Sequence, residues 1–339
     1  MALRRAAGLL ASRVLGTPSA GLECAAPYAL QHLEGIPSSL QASTPATPST
    51  EQVRHAGNLA VKQRIRAIKN IGKITKAMKM VAASKMKNAQ IAVENSRGSV
   101  DPFLRLFGDH PAVTAPKTAT VAVTSDKGLC GGLNSNISKY TRMMLQLNQS
   151  TGETVSEQTV ASIGDKGRSQ LTRTHGDIYT LSVMDAFKPI NFAQASLIAE
   201  ELLKQNPEAE VFRILYNKFV SAIAFKPTVA TVMMPNVMER QATEPTGNKL
   251  DTYDMEVPAE NKDALQDLAE FQLAMTLHNA MLENNCSEHA SRMSAMENST
   301  KSAGEMLSAL TLSYNRKRQA AITTELTEII AGASALEDQ

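Results

Sequence analysis

From Asn261 to Gln339 the chain runs about eighty residues without a proline, with glycine only at Gly304 and Gly332. A helix of that length would reach on the order of 110 Å at roughly 1.5 Å per residue, several times the width of any domain the rest of the chain can build. Most of it must therefore lean on something other than its own globular part. Steps of three and four from Leu265 pass Leu268, Met275, Leu282, Cys286, Met293, Met296, Ala303, Leu307, Leu310 and Tyr314, and eleven of the fifteen positions are apolar. Gln272, Asn279, His289 and Thr300 interrupt the stripe, polar residues of the kind that loosen a seam or fix its register.

A second rod lies nearer the other end. Val61, Ile65, Ile68, Ile71, Ile74, Met78 and Val81 recur at three and four, a pattern expected to hold until Gly98 and Pro102 break it. Two rods flanking one domain pair most simply as an antiparallel coiled coil. Because the second is longer, its last twenty to thirty residues are expected to project alone, and the smooth tip Ile322 to Leu336, with only Glu325 and Glu328 as charges, suits a partner's sleeve.

The first rod is strongly basic. Between Val61 and Lys87 stand nine basic residues (Lys62, Arg64, Arg66, Lys69, Lys73, Lys76, Lys79, Lys85, Lys87) and no acidic one. Five like-charge pairs at helical spacing cost on the order of 1 to 2.5 kcal/mol before screening. An antiparallel partner stretch drawn from residues 280–310 offers Glu283, Glu288, Glu297 and Glu305 against Arg292 and Lys301, net −2, whereas residues 61–79 alone carry +7. The excess predicts an acidic partner outside the chain. Nucleic acid fits the charge as an alternative, although 4% aromatics and no tryptophan disfavour stacking on single strands.

Between the rods, strand-like and helix-like segments alternate: strand Thr118–Ser125, a glycine-bearing turn, helix Asn134–Asn148, strand Gln158–Ile163, helix Asp165–Thr174, strand Ile178–Val183, helix Phe192–Gln205, strands Val211–Tyr216 and Ala222–Met234. This predicts an α/β fold, a Rossmann-like central domain with a largely parallel sheet, beside the long antiparallel coiled coil of the N- and C-terminal helices. The expected divisions are 1–50 transit peptide and linker, 51–110 first rod, 117–236 central domain and 259–336 second rod. Arg4, Arg5 and Arg13 without an acid before Glu23 give the leader its mitochondrial character.

The turn Asp126 to Gly132 sits where a phosphate loop would sit but lacks the Gly-Lys-Ser/Thr ending and the three-glycine dinucleotide spacing, so it is expected to be a structural turn. No Cys-x-x-Cys, His-Glu-x-x-His or Gly-x-Ser-x-Gly occurs, and no cofactor, metal or catalytic residue is expected.

The segments "IRAIKNIGKITKAMKMVAASKM" (Ile65–Met86), "TSDKGLCGGLNSNI" (Thr124–Ile137), "SRMSAMENSTKSA" (Ser291–Ala303) and "LTLSYNRKRQAAITTELTEIIAGASAL" (Leu310–Leu336) resemble the gamma-subunit family of the F-type ATP synthases. The resemblance implies a central rotor shaft whose tip stands inside a hexamer of alpha and beta subunits. Its foot would rest with the small stalk subunits delta and epsilon on the membrane ring of c subunits, at the matrix side of the mitochondrial inner membrane. ATP chemistry would belong to beta, making this chain a non-catalytic subunit. The family's shaft contacts to beta would fall on Met78, Arg292, Gln319 and Thr323, to which charge alone adds Lys73, Lys76 and Lys79. The chloroplast members' inserted cysteine pair is missing, which favours the mitochondrial branch.

Overall fold

The computed structural model describes residues 50–107, 115–150, 157–186, 188–237 and 262–337. The expectations for the leader and linker of residues 1–49 lie outside the described residues.

Two long helices frame the molecule: α1 (Thr50–Phe107) and α5 (Lys262–Glu337). Between them run β1 (Lys117–Val123), α2 (Leu133–Ser150), β2 (Glu157–Ile163), α3 (Asp165–His175), a single 3-10 turn, β3 (Tyr179–Val183), α4 (Phe192–Gln205), β4 (Val211–Phe219) and β5 (Phe225–Met233). The sheet order is β3-β2-β1-β4-β5, with the first four strands parallel and β5 antiparallel to β4. β1 and β4 are buried along nearly their whole length, as β-branched central strands covered on both faces should be. Pro227, which cannot donate to a ladder, sits on the edge strand β5.

One face of the sheet is closed by α2 and α3 through Ile137, Leu145 and Leu171 packed with Ala122, Val160 and Leu215. The other face is closed by α4 and by the first part of α5, where Ile198, Leu202, Leu273 and Leu277 meet Val121, Val123, Phe212 and Ile214. At the base, Phe107 and Leu268 pack with Val211 and Met233.

Two expectations change. First, α1 does not end at Gly98 and Pro102 but runs through both to Phe107. Pro102 lacks the N–H that would bond the carbonyl of Gly98, yet that lost bond lies on an exposed side of a helix whose opposite side is fastened by Ser96, Val100, Phe103 and Phe107, and tertiary packing outweighs the break. Second, the lower part of α5 is not a two-helix seam. From Ala269 to Ser291 it is buried or half-buried on nearly every side, because the sheet, α4 and α1 surround it; only beyond Met296 does it show one half-buried stripe and an exposed remainder. The carboxyl end does not fold back on the sheet.

Candidate partner interface

The two rods pair antiparallel in one register. Cys286 packs with Ala89 and Leu282 with Val93, Ser96 Oγ donates to Asn279 Oδ1 at 3.1 Å, Lys79 Nζ bonds Glu297 Oε1 at 2.8 Å, Thr300 Oγ1 donates to Thr75 Oγ1 at 2.8 Å, and the Gly72 position faces the Ala303 methyl. α1 reaches about ten residues deeper into the domain than its apolar pattern allows.

The seam of α1 also differs from the predicted stripe. Ile68 is buried, but the seam continues through Gly72, Thr75, Ala82 and Ala89, while Ile71 (51% exposed), Ile74 (59%) and Val81 (56%) face outward and Met78 is half-buried. Small residues let the two backbones approach, and close packing at the seam outweighs burial of the larger side chains. An apolar row is thereby left on the outside of the rod.

Beside that row lie the charges. Lys62, Arg64, Arg66, Lys69, Lys73, Lys76, Lys85 and Lys87 are exposed, and neither Lys73 nor Lys76 forms an ion pair among the described residues. Lys79 is the exception, since Glu297, one of the acids the second rod offers against the stripe, meets it. Glu283 and Glu288, counted there as facing the stripe, are 1% and 4% exposed and bound elsewhere.

The remaining predicted residues stand at other levels of the shaft. Arg292, with 12% of its side chain exposed, is turned inward: its Nη2 donates to Glu288 Oε1 at 2.6 Å and to the Gly128 carbonyl at 3.3 Å. Gln319 and Thr323 are exposed near the carboxyl end, one turn apart, and Thr323 Oγ1 donates to the Gln319 carbonyl at 3.0 Å. At 1.5 Å per residue, Arg292 and Gln319 are about 40 Å apart along α5. These residues form three stations along a rod and no single pocket.

Arg292 leads to the glycine turn, whose buried side chains are hydrogen-bonded within the chain. Ser291 Oγ donates to the Cys130 carbonyl at 2.5 Å, Asn134 Oδ1 accepts the Ser125 amide at 3.0 Å, and Asp126 Oδ1 accepts the amides of Asp165 (3.1 Å) and Asp185 (3.3 Å). Gly131, at φ 60°, takes the left-handed conformation that lets the turn reach α5. Thr124 Oγ1 donates to the Ile163 carbonyl at 2.9 Å and accepts the Gly167 amide at 2.9 Å. The turn is a joint fastening sheet to shaft, and the sequence missed its anchors because Ser291 and Arg292 lie some 160 residues away.

The joint is tight enough to test. A Cβ at Gly167 would stand 2.5 Å from Thr124 Oγ1, while one at Gly164, φ 106°, would meet the Thr124 backbone at 2.8 Å. Gly167→Ala should cost on the order of 2 kcal/mol and be largely rescued by Thr124→Gly, whereas Gly164→Ala should resist that rescue because the Thr124 backbone at 2.8 Å, as well as its Oγ1 at 2.7 Å, is in the way and φ is positive. Urea denaturation of the four variants measures this.

His289 lies beneath the same joint. Burial pushes its imidazole down to about 4, with Lys188, Arg292 and Lys85 acting in the same sense and Glu288 opposing. The folded chain thus resists protonation that the unfolded chain accepts near 6.5. Stability is fully present above 6.5 and lost as pH falls from 6.5 toward 4, by on the order of 3 kcal/mol. His289→Gln should flatten that part of a stability-against-pH curve.

Among the described residues no group of three His, Cys, Asp or Glu side chains is placed to hold a metal ion, and no helix is long and apolar enough to cross a membrane.

Comparison with known proteins converges on one family. The family model described as ATP synthase matches residues 59–336. The mitochondrial ATP synthase gamma subunit of Arabidopsis thaliana is 47% identical over 84% of this chain and 87% of its own length, and the ATP synthase gamma chain of Paracoccus denitrificans is 41% identical over 81% and 98%. Among solved structures, a chain of the Tetrahymena thermophila mitochondrial ATP synthase central stalk and c-ring is 31% identical over 66% of this chain and 98% of its own, with a TM-score of 0.53. A chain of the Euglena gracilis enzyme shares the fold, with a TM-score of 0.71 at 20% identity over 83% and 95%. The nucleic-acid alternative finds no support among them. With a family model spanning both rods and the sheet, and gamma subunits related to it over more than four-fifths of its length, this chain belongs to the gamma-subunit family of the ATP synthases.

Proposed function

We propose that this chain is the central shaft of a mitochondrial F-type ATP synthase, turning inside a hexamer of alpha and beta subunits and standing on the c-ring with the small stalk subunits delta and epsilon. One observation carries the reading: the outer end of α5 presents Ile322, Leu326, Ile329 and Ile330, each more than half exposed among the described residues. A solitary apolar rod of this kind is stable only within a sleeve. The chain is non-catalytic in this scheme; ATP is made on beta, and the shaft's asymmetry forces the beta sites through their conformations in turn.

The stations along the rod then have distinct work. Lys73, Lys76 and Met78, with the outward row Ile71, Ile74 and Val81, face the encircling subunits from the middle of the shaft, while Gln319 and Thr323 face them higher up. Lys79 contributes through its pair with Glu297. Arg292 holds the shaft to the turn at Gly128 and faces beta through that turn. The complex lies at the matrix side of the inner membrane.

Rotation tests this reading directly. With the hexamer fixed to a surface and a bead attached to the α/β domain of this chain, ATP should drive stepwise turning in one direction; a bead that stays fixed while ATP is hydrolysed would sink it.

A further inference from the structure

Between Asn284 and Arg292, helix α5 passes the carboxyl ends of the parallel strands and is tied to them by polar side chains. On β4, Asn217 Nδ2 donates to Asn284 Oδ1 at 3.1 Å, and the Asn217 carbonyl accepts Ser287 Oγ at 2.9 Å. In the turn after β1, the Cys130 carbonyl accepts Ser291 Oγ and the Gly128 carbonyl accepts Arg292 Nη2. From the segment after β3, Lys188 Nζ donates to Asn285 Oδ1 at 3.1 Å and lies 3.8 Å from Glu288 Oε2. At 3.6 residues per turn these α5 positions cover about 160° of the helix circumference within about 12 Å of its length. Ser287, tied to β4, marks one end of that arc and Asn285, tied to Lys188, the other; the two ties to the β1 turn fall between them. The sheet has the same order, β4 and β3 on either side of β1. Turning α5 about its own axis in either sense therefore stretches the ties of one flank.

Apolar packing does not supply that restraint. Below this level α5 lies on the sheet through Ala269, Leu273, Leu277 and Met281, and apolar attraction, having no direction, resists separation more than rotation. At the level of the ties a cavity of about 40 Å³ lies between α5 and the ends of β1 and β2, with Asp126, Gly164, Lys188, Asn284 and Glu288 on its wall. Close packing does not stop the helix from turning there.

One residue gathers the ties. Glu288 is 4% exposed; its Oε1 accepts Arg292 Nη2 at 2.6 Å, and its Oε2 faces Lys188. Arg292 passes the contact on to Gly128, so a single buried carboxylate holds both the tie to the β1 turn and the tie from behind β3. Charge-assisted bonds of this kind are stronger than the neutral ones beside them. Without the carboxylate's charge, Lys188 and Arg292 would face one another as like charges.

We propose that Glu288 is a positioning residue for torque, fixing the angle at which the shaft stands on the α/β domain. The inference rests on the shaft reading, under which torque crosses this level.

The test uses the fixed hexamer with a bead on the α/β domain, in the pauses at limiting ATP, where the variance of the bead's angle is inverse to torsional stiffness. Treated as equal springs in parallel, the ties through Asn284, Ser287, Ser291, Arg292 and Lys188 lose two members in Glu288→Gln, so the variance should rise about 1.5-fold. Lys188→Met should raise it by a smaller amount, and Lys188→Arg, which keeps the charge, should not. The Lys188 side chain is 50% exposed, so Lys188→Met should keep the wild-type urea midpoint; a change in variance without a change in midpoint separates positioning from stabilisation of the fold. Glu200→Gln, at an exposed pair on α4, is the control and should leave the variance unchanged. Wild-type variance in Glu288→Gln, or the same variance in Lys188→Met and Lys188→Arg, would overturn the proposal. If Glu288→Gln does not assemble, the Lys188 pair decides. Rotation of the wild type tests the shaft reading by itself, so variants that turn with unaltered variance count against Glu288 alone.

Discussion

Glu283→Ala should cost about 3 kcal/mol of stability, the low end of what breaking a buried ion pair costs, because Arg97 is partly open to water. Glu283 is 1% exposed. Its Oε1 accepts Arg97 Nε at 2.6 Å, and its Oε2 accepts Arg97 Nη2 at 3.0 Å and the Phe219 amide at 2.7 Å. Arg97 Nη2 also donates to the Phe219 carbonyl at 2.6 Å, and its hydrogen bond to Glu283 raises the guanidinium's pKa still further above the physiological range. One ion pair therefore ties α1, α5 and β4 at the level where the shaft leaves the domain. Removing the carboxylate strands the guanidinium and the Phe219 amide together. Glu283→Gln, which keeps the shape and one acceptor, should lose less, and Arg97→Met/Glu283→Leu should lose least, since neither charge is then left unpaired. Urea denaturation followed by circular dichroism measures the cycle. A loss below 1 kcal/mol for Glu283→Ala would mean that the helices hold their place on the sheet by apolar packing alone.

The sequence shows its repeating features and hides its long-range ones. β1, β2, β3 and α4 lie within a residue or two of where β-branched runs and helical spacing place them, and the register Leu265 to Tyr314 contains Asn279, Leu282, Cys286, Thr300 and Ala303, which meet α1, but not Glu283, Ala290 or Glu297, which meet it too. Glu283 was counted among the acids set against the basic stripe because its partner Arg97 is 186 residues away. Ile71, Ile74 and Val81 looked like a seam because apolar spacing cannot tell a face that meets its own chain from one kept for another molecule. Gly72, Thr75 and Ala82, the true seam, are too small to stand out in an apolar pattern of larger residues; their role follows from how near two backbones come. Pro102 signalled a helix end by local rules, which the packing at the base overrides. The predicted interface residues spread over three levels for a related reason: contacts of a rod with a surrounding ring are ordered along its axis, and no local motif gathers them.

Reversing Lys73 and Lys76 to glutamate should roughly halve the protons pumped per ATP hydrolysed while leaving assembly largely intact, on the premise that exposed ion pairs worth about 0 to 1 kcal/mol act as sliding contacts. The two reversals take residues 61–79 from +7 to +3. They touch no seam position, since both side chains are exposed, whereas Lys79→Glu would set two carboxylates together at Glu297 and confuse lost coupling with a loosened coil. Lys79 is therefore better kept in the test variant. Because the Debye length is about 8 Å at physiological salt, the wild-type advantage should shrink as ionic strength rises and persist where pairs are desolvated by the sleeve. Acidification of inverted vesicles, scaled to ATP hydrolysed in the same sample, gives the ratio directly. Equal ratios in variant and wild type at low salt would assign torque to the apolar row Ile71, Ile74 and Val81, and replacement of those three by serine should then produce the loss that the charge reversal does not.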